Sequence, residues 1–430
     1  MKMYVSPEKE VWKKLLERPQ VEYRTIDQTI SIVFDEIKAM GDRAVKKNTL
    51  RFDKIELDNF LVSEKDILDA EALVPRNLKS AIEIASNNIE KFHMAQREEV
   101  RMVETSPGVT CWRESKPIER VGIYVPGGSA PLFSTVLMLA IPARIAGCKE
   151  IVMCSPPSTN GKIHPAILYA AKIAGVKKIF RIGGIQAIAA MTYGTETVPQ
   201  CYKIFGPGNK YVTEAKRFAQ LKGVSIDMPA GPSEVMILAD QTADPEFVAA
   251  DLLAQAEHGP DSQVVLIAFT ETFCEKVIAE IEKQLASLPR NSIATEALKH
   301  ARFIVVFNHE IAVEMVNFYA PEHLIINVED EGKYLDNIIN AGSVFLGSYT
   351  PESAGDYASG TNHTLPTSGY ARAYSGVSLD SFVKKITFQR ISPKGLQSLG
   401  PSIETMAEAE GLQAHKYAVS IRLKKLYRDD

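Results

Sequence analysis

The segment LLAQAEHGPDSQ, residues 252–263, places a glutamine and a histidine three positions apart near the end of an amphipathic pattern. Gln255 and His258 are expected on one face of a helix that ends at Gly259, with Cβ atoms roughly 5–6 Å apart, close enough to bind one ion or one substrate. Zinc sites are normally built from Cys, His and carboxylates, which makes Gln255 an unusual ligand. The pair alone is compatible with a metal site and equally with a polar cap at a helix end.

Length and composition limit what the pair can mean. The 430 residues exceed the ~250–300 that one hydrophobic core supports, which predicts at least two domains. The chain is 45% hydrophobic and 24% charged, as in an ordinary soluble globular protein. The net charge of −4 comes from interspersed acids and bases, which argues against nucleic acid as a partner. The most apolar stretch, 130–147, lacks the ~20 clean apolar residues of a membrane span, and predicts a buried helix.

The cysteines and the first residues indicate the compartment. Five cysteines, an odd number without CxxC spacing, do not form a disulfide framework. The first residues, MKMYVSPEKE, contain no apolar signal core. Both features predict a protein of the reducing cytoplasm.

The chain alternates short β-rich runs with helix-length segments from residue 120 to about residue 346. This rhythm predicts βαβ units, with parallel strands covered by helices on both faces. Residues 1–100 have mainly helical periodicity, and so have the last fifty, which form an arm. Residues 348–378 have no periodicity and predict a functional loop. The expected fold is α/β: two Rossmann-like α/β domains with parallel-rich sheets, a helical N-terminal segment and a C-terminal arm.

Three Gly-rich turns follow strands of the first α/β unit. Neither GxGxxG nor the Walker sequence occurs in the chain. Each turn delivers small residues and a helix start to the carboxyl edge of a sheet, where α/β proteins bind anionic ligands. One such turn serves equally well to reverse the chain, but three on one edge favour a cofactor. The turns are YVPGGSA (124–130), GGIQA (183–187) and FGPGNKY (205–211).

Five longer strings resemble the signatures of histidinol dehydrogenases, and the resemblance extends over nearly the whole chain. The strings are IDMPAGPSEV (226–235), LLAQAEHGPDSQV (252–264), APEHLII (320–326), PESAGDYASGTNHTLPT (351–367) and AEGLQAHKYAV (409–419). The resemblance implies a homodimer with shared active sites, one zinc ion per subunit and two NAD consumed per substrate. The implied reaction converts L-histidinol to L-histidine through L-histidinaldehyde, the last steps of histidine biosynthesis.

The resemblance also implies a domain division and a role for individual residues. The domains are an N-terminal helical segment (1–22), a first α/β domain with the zinc and catalytic residues (23–123 and 232–377), a second with the NAD-binding turns (124–231), and an arm that reaches the partner subunit (378–430). The implied zinc ligands are Gln255, His258, Asp356 and His415. The implied substrate contacts are Ser233, Gln255, His258, His323, Asp356, His363, Glu410 and His415, and the implied NAD contacts are Tyr124, Gln186 and Asn209.

The chemistry implied for APEHL is general base catalysis. Oxidation of an alcohol needs a base for the hydroxyl proton, and histidine, here His323, has an ordinary pKa near neutrality. Glu322 beside it would activate water for the aldehyde step. Pro321 suits a tight turn, in which consecutive side chains can converge. The two residues precede the strand HLIINV, although ligands of parallel sheets usually lie after strands. Either that strand is antiparallel or the site lies between domains.

Three other classes of protein remain as alternatives. A zinc hydrolase would also use a metal with Glu and His, but it has no need of three Gly-rich turns. A cysteine-dependent aldehyde dehydrogenase would need a nucleophile among Cys111, Cys148, Cys154, Cys201 and Cys274, and none is near the other motifs. A non-enzymatic scaffold would leave the four-residue ligand set unexplained.

Overall fold

The computed structural model describes residues 1–19, 26–127, 131–229 and 231–428. The boundary expected between residues 22 and 23, residues 128–130 of the first Gly-rich turn and residue 230 lie outside the described residues. The contacts between residues of the chain group it into two compact units. The first contains Met1–Gln96 and Ile118–Phe382, and the second contains Arg97–Pro117 and Val383–Asp430.

The described residues form strands and helices in the following order along the chain. The strands are β1 (Lys2–Val5), β2 (Met102–Ser106), β3 (Val109–Pro117), β4 (Arg120–Tyr124), β5 (Glu150–Cys154), β6 (Lys178–Phe180), β7 (Lys203–Phe205), β8 (Ser225–Ile226), β9 (Glu234–Ala239), β10 (Gln263–Ala268), β11 (Arg302–Val305), β12 (His323–Asn327), β13 (Ser343–Leu346) and β14 (Val383–Ile391). The helices are α1 (Lys9–Leu15), α2 (Ile26–Met40), α3 (Asp42–Asp53), α4 (Glu64–Leu73), α5 (Arg76–Met94), α6 (Phe133–Ala146), α7 (Pro165–Ala174), α8 (Gly184–Tyr193), α9 (Lys210–Leu221), α10 (Pro245–Ala256), α11 (Glu271–Leu285), α12 (Asn291–Leu298), α13 (His309–Tyr319), α14 (Gly332–Leu335), α15 (Glu352–Tyr357), α16 (Pro393–Ala409) and α17 (Gln413–Leu426).

The first unit is built on two parallel sheets. One has six strands in the order β1-β11-β10-β9-β12-β13, and the other has five in the order β6-β5-β4-β7-β8. All six residues of β9 and of β10 are buried, as continuous apolar strands of a parallel sheet must be when helices cover both faces. The predicted α/β fold class is confirmed. An unanticipated feature is β1, an edge strand that precedes the helix of the N-terminal segment.

Helices bury both faces of each parallel sheet. Residues 133–146 of the apolar stretch form α6, whose side chains are buried almost throughout, as predicted. It packs with α5 and α7 on one face of the five-stranded sheet, while α2, α8 and α9 cover the other face. In the six-stranded sheet, α10, α11 and α12 cover one face, and α1 and α13 cover the other. Among the described helices, none combines the length and apolarity that crossing a bilayer demands.

The second unit combines the predicted arm with a hairpin. Strand β14 pairs antiparallel with β3, and β3 pairs antiparallel with β2. Helices α16 and α17 complete this unit, as the helical periodicity predicted, but the expectation that the last fifty residues are helical throughout is wrong, because Val383–Ile391 form strand β14 and pair with β3. Residues 97–117, which the domain division implied by the resemblance assigned to the first α/β domain, therefore group with the arm, because β3 pairs with the distant strand β14. The remaining domain boundaries stay predictions.

Candidate active site

Glu322 and His323 lie at the amino edge of the six-stranded sheet. Helix α13 ends at Tyr319, and Ala320 follows with a φ of 55°, a left-handed conformation that turns the chain sharply before Pro321. Strand β12 then begins at His323 and is parallel to β9 and β13. The antiparallel alternative is therefore wrong for this strand, and the pair sits at the start of a parallel strand.

The side chains of Glu322 and His323 converge, as the tight turn at Pro321 predicted. Oε2 of Glu322 lies 3.7 Å from Nδ1 of His323. The same carboxylate oxygen accepts a hydrogen bond of 2.9 Å from the backbone N–H of Glu234, the first residue of β9. Nδ1 of His323 lies 3.3 Å from the backbone oxygen of Glu234. Both catalytic candidates are thus held by the main chain of one residue on the neighbouring strand.

Two further carboxylates flank the histidine. Oε1 of Glu352 is 3.8 Å from Nδ1 of His323, and Oδ1 of Asp356 is 3.6 Å from Nε2. Burial alone would lower the pKa of His323, but Glu352, Glu322 and Asp356 outweigh it and raise the pKa to about 10. Burial raises the pKa of Glu322 and that of Glu352 to about 8 each, and the nearby charge of His323 partly opposes both increases. Burial therefore disfavours several ionised carboxylates together in this pocket, and a bound cation would favour their charged forms.

A set of possible metal ligands lies beside this histidine. Three possible ligand atoms lie within 4.8 Å of one another, one each from His258, Glu352 and Asp356. Glu352 and Asp356 are four residues apart on α15, which places them on one face of the helix. Glu352 was not among the candidates from the sequence, although its spacing from Asp356 was a usable signal. Histidine and carboxylate ligands without a thiolate are typical of a zinc site that leaves coordination positions open.

Gln255 adds a polar group that has no protein partner. The residue is fully buried, and within the described residues neither its amide oxygen nor its amide nitrogen has a hydrogen-bond partner. A buried amide left unsatisfied costs about 1–3 kcal/mol, which a bound ligand would relieve. Helix α10 ends at Ala256, earlier than predicted, but the N–H of His258 donates to the carbonyl of Gln255 at 3.2 Å and keeps the two residues in one turn. The residues present fit a zinc ion.

Other predicted substrate contacts surround the same pocket. Nδ1 of His363 is 2.9 Å from the backbone oxygen of Asp356, and its Nε2 is 3.3 Å from Oγ1 of Thr135. Thr135 belongs to α6, so the pocket lies between the six-stranded and the five-stranded sheet, as the second alternative for its position requires. Ser233 immediately precedes Glu234 at the start of β9.

Glu410 and His415 belong to the second unit. Glu410 caps the end of α16, and His415 lies in the first turn of α17. Both side chains are exposed in the chain. Their assignment as substrate contact and zinc ligand stays a prediction.

The described residues of the three Gly-rich turns lie at the carboxyl edge of the five-stranded sheet. The hydroxyl of Tyr124, the last residue of β4, accepts a 3.1 Å hydrogen bond from the N–H of Gly184 in the second turn. Gly206 in the third turn has a φ of 123°, and a Cβ there would lie 2.0 Å from the backbone oxygen of Tyr124. Only glycine allows this close approach. Tyr124 therefore ties all three turns together.

The three predicted NAD contacts have different environments in these turns. The amide of Gln186 donates to Oδ2 of Asp53 at 2.9 Å, and its buried Oε1 has no partner within the described residues. Asn209 caps α9 by accepting from the N–H groups of Tyr211 and Val212, which occupies those two donors. Helices α6 and α8, by contrast, begin without a side-chain cap. The N–H of Gly184 donates to Tyr124 and that of Phe133 to the carbonyl of Pro131, and the other N-terminal amides of the two helices, which no N-cap side chain occupies, suit an anionic ligand such as a pyrophosphate.

Burial raises the thiol pKa of four of the five cysteines, Cys148, Cys154, Cys201 and Cys274. Cys154, Cys201 and Cys274 are buried, and all five thiols of the chain are free. Burial raises the pKa of Cys148 to about 12 and raises that of Cys154 well above its ordinary value. A nucleophilic cysteine needs a lowered pKa, so these environments argue against the cysteine-dependent alternative.

The chain is similar to known proteins over almost its entire length. The sequence model of the histidinol dehydrogenase family matches residues 16–423. A histidinol dehydrogenase from Bacteroides fragilis is 57% identical over 426 residues, which cover 99% of this chain and 100% of that protein. A chloroplastic histidinol dehydrogenase from Arabidopsis thaliana is 53% identical over 415 residues, covering 96% of this chain and 89% of the relative. A crystal structure of histidinol dehydrogenase from Elizabethkingia anophelis superposes with a TM-score of 0.98 at 57% identity, covering 99% of each chain.

Proposed function

The chain belongs to the histidinol dehydrogenase family, and from this premise we propose that it oxidises L-histidinol to L-histidine through L-histidinaldehyde, with zinc and two NAD. The observation that carries the proposal is the convergence of the Glu322–His323 pair with the His258, Glu352 and Asp356 cluster in one pocket. The placement is consistent with an amino alcohol held next to a base.

Binding of the substrate is the first task of these residues. Gln255, His258 and Asp356, together with His415 from a second copy of the chain, would hold zinc, which supplies open coordination positions for the imidazole and amine nitrogens of histidinol. The carboxylates of Glu352 and Asp356 attract the positively charged metal and substrate and so favour their binding. The positive charge of the bound metal and substrate would offset the raising effect of the carboxylates on the pKa of His323. The pKa of His323 would then fall, and the neutral imidazole would be available as a base.

His323 removes the hydroxyl proton in the first oxidation. Its Nδ1 faces the backbone oxygen of Glu234, which favours the tautomer with the proton on Nδ1 and leaves Nε2 to accept a proton. As the O–H bond breaks, a hydride leaves the substrate carbon for NAD, and the aldehyde forms. The N-termini of α6 and α8 have no side-chain cap and are suited to bind the pyrophosphate of the dinucleotide. The proposed side-chain contacts to NAD are Tyr124, Gln186 and Asn209.

Glu322 acts in the second oxidation. Its carboxylate takes a proton from water while the water oxygen attacks the aldehyde carbon, and the protonated His323 returns its proton to the former carbonyl oxygen, which gives a gem-diol. The neutral His323 then removes a proton from one diol hydroxyl as a hydride leaves the carbon for the second NAD, and the carboxylic acid of histidine forms. No covalent bond to a cysteine is needed in this sequence, in agreement with the raised pKa values of the buried thiols.

The proposed assembly is a homodimer that shares its active sites. Glu410 and His415 are exposed in the arm, which leaves them available to a second copy of the chain. Met406, Tyr417 and Ile421 on the same two helices are also exposed, and such apolar surface on an arm is typical of an interface. We also propose that the enzyme works in the cytoplasm, where its five free thiols would stay reduced.

Metal removal and restoration test the proposal directly. Chelation should abolish NADH formation from histidinol, and Zn²⁺ should restore it, because the ligand set anchors the substrate. Gln255→Ala should weaken zinc binding in a direct titration without changing the fold by circular dichroism. Full activity in a preparation shown to contain no metal would contradict the assignment, and so would unchanged zinc affinity in the Gln255 variant.

A further inference from the structure

A partly buried ion pair is joined to the Glu322–His323 pair through the main chain of its acid. Its acid is Glu234, whose backbone N–H donates to Glu322 and whose backbone oxygen faces His323. The side chain of Glu234 is almost fully buried and points away from these contacts to Arg18, which follows α1. The same residue therefore holds both catalytic candidates with its main chain and an arginine with its side chain.

The guanidinium of Arg18 binds Glu234 in a two-pronged manner. Nε is 2.5 Å from Oε2, and Nη2 is 2.9 Å from Oε1. The hydroxyl of Tyr319 lies within donating distance of two acceptors, Oε2 of the same carboxylate at 3.1 Å and Oε1 of Gln263 at 2.9 Å. The guanidinium carbon of Arg18 lies 3.9 Å from the centre of the Tyr319 ring. A paired, fork-like contact of this kind fixes both groups in orientation as well as in distance.

Arg18 also holds the chain segment that leads into the catalytic pair. Its Nη2 donates to the backbone oxygen of Tyr319 at 2.8 Å and approaches that of Ala320 at 3.5 Å. Ala320 has the left-handed backbone conformation, which costs a non-glycine residue about 1–2 kcal/mol and persists only where neighbours enforce it. Arg18 is thus anchored to both sides of the turn, to β9 through Glu234 and to the end of α13 through these carbonyls.

We propose that Arg18 is a positioning residue for the Glu322–His323 pair, acting through the carboxylate of Glu234 and the carbonyls of Tyr319 and Ala320. The inference rests on the proposed function for the reaction that the pair performs. Arg18 has no assigned contact with zinc, substrate or NAD, so its loss should affect the geometry of the bases and leave binding intact. A displacement of about 1 Å at a catalytic group can reduce the rate about a hundredfold.

Arg18→Lys tests this role because lysine keeps the charge but cannot bind two carboxylate oxygens and a carbonyl in one plane. We expect kcat for histidinol to fall about tenfold to a hundredfold, while KM for histidinol and the zinc content stay at wild-type values. Tyr319→Phe, which removes the hydroxyl that faces Glu234 and Gln263, should lower kcat a few-fold with the same KM and is the variant less prone to misfolding.

Arg302→Lys is the matched control. Arg302 also anchors the N-terminal segment, donating to the carbonyls of Leu15, His300 and Ala301 at 2.9–3.0 Å, but it has no contact with Glu234. This variant should unfold at lower denaturant concentration and keep kcat within about twofold. An equal loss of kcat in the Arg302 and Arg18 variants would overturn the proposal, as would an Arg18 variant with wild-type kcat or with zinc loss and a raised KM.

Crystal structures of the wild type and the Arg18→Lys variant supply a readout that does not depend on activity. The distance from the N–H of Glu234 to Glu322 should lengthen beyond hydrogen bonding in the variant. An unchanged distance overturns the positioning role even if the wild type oxidises histidinol. A wild type inactive towards histidinol overturns the proposed function, and a lengthened distance in that case still supports the positioning role of Arg18.

Discussion

Replacement of Glu322 by glutamine separates the two oxidations. Glutamine has the same shape as glutamate, and its carbonyl oxygen can accept the 2.9 Å hydrogen bond from the N–H of Glu234. The change therefore keeps the side chain in place and removes its charge and its ability to take a proton. Only the aldehyde step needs a proton taken from water, so only that step should lose its base.

The expected magnitude follows from the value of a general base. Such a base contributes about 10²- to 10⁴-fold to a rate, which corresponds to about 3–5 kcal/mol of transition-state stabilisation. Aldehyde oxidation by Glu322→Gln should fall by this factor. Alcohol oxidation should fall by less than about tenfold, because the variant affects it only through the charge removed 3.7 Å from His323.

Glu352→Gln is the matched control for that charge. Glu352 is equally buried, and its carboxylate lies 3.8 Å from the same nitrogen of His323. Both variants thus remove one negative charge at the same distance from the base, but Glu352 belongs to the cluster of possible metal ligands. We expect Glu352→Gln to weaken zinc binding and to affect both oxidations alike.

The assay follows each oxidation separately. NADH formation from added histidinaldehyde reports the second step, and histidinol consumption with a carbonyl trap present reports the first. Equal losses in the two steps for Glu322→Gln would refute the assignment of Glu322 as the base for water. A selective loss of the aldehyde step in Glu352→Gln would assign that role to Glu352 instead.

Two further predictions concern the cofactor edge and the dimer. Burial raises the pKa of Asp53 to about 6 despite the hydrogen bond from Gln186, so the native state binds this proton more tightly than the unfolded chain, whose aspartate titrates near 3.8. The contribution of Asp53 to the free energy of unfolding should therefore decrease as pH rises from about 4 to about 6, by at most about 3 kcal/mol. In urea unfolding, Asp53→Asn should be more stable than the wild type at pH 7.5 and similar to it at pH 4. A stability difference that does not change with pH would count against this assignment. Inactive His415→Ala and His323→Asn variants should regain up to about a quarter of wild-type activity when they are unfolded together and refolded as a mixture. Half of the randomly formed dimers contain one copy of each variant, and one of the two shared sites in such a dimer is intact, so one site in four is intact overall. No recovery of activity despite heterodimer formation would argue that each subunit completes its own site.

The sequence predicted the order of the elements better than their long-range pairing. Alternating apolar runs were sufficient to anticipate both parallel sheets, since each run is buried on both faces by its own flanking helices. The pairing of β3 with β14 was not predicted, because hydrophobic periodicity carries no information about a partner hundreds of residues away. The direction of β12 was undecided for the same reason.

The candidate site shows the same division between local and distant information. Glu322, His323, Gln255, His258 and Asp356 stand in recognisable strings, and the structure brings Glu322, His258 and Asp356 to the surroundings of one histidine. Glu352 was detectable from its spacing to Asp356 but was missed. The role of Arg18 was not detectable, because Arg18 and Glu234 are 216 positions apart and only the fold joins them.

The number of NADH molecules formed per histidinol consumed tests the central proposal most directly. A site with one metal-held substrate, one histidine base and one carboxylate for water should complete both oxidations before release. We predict two NADH for each histidinol, with no free aldehyde, and no NADH at all after chelation until Zn²⁺ is returned. One NADH per histidinol with accumulation of the aldehyde, or no NADH from the zinc-loaded protein, would contradict it.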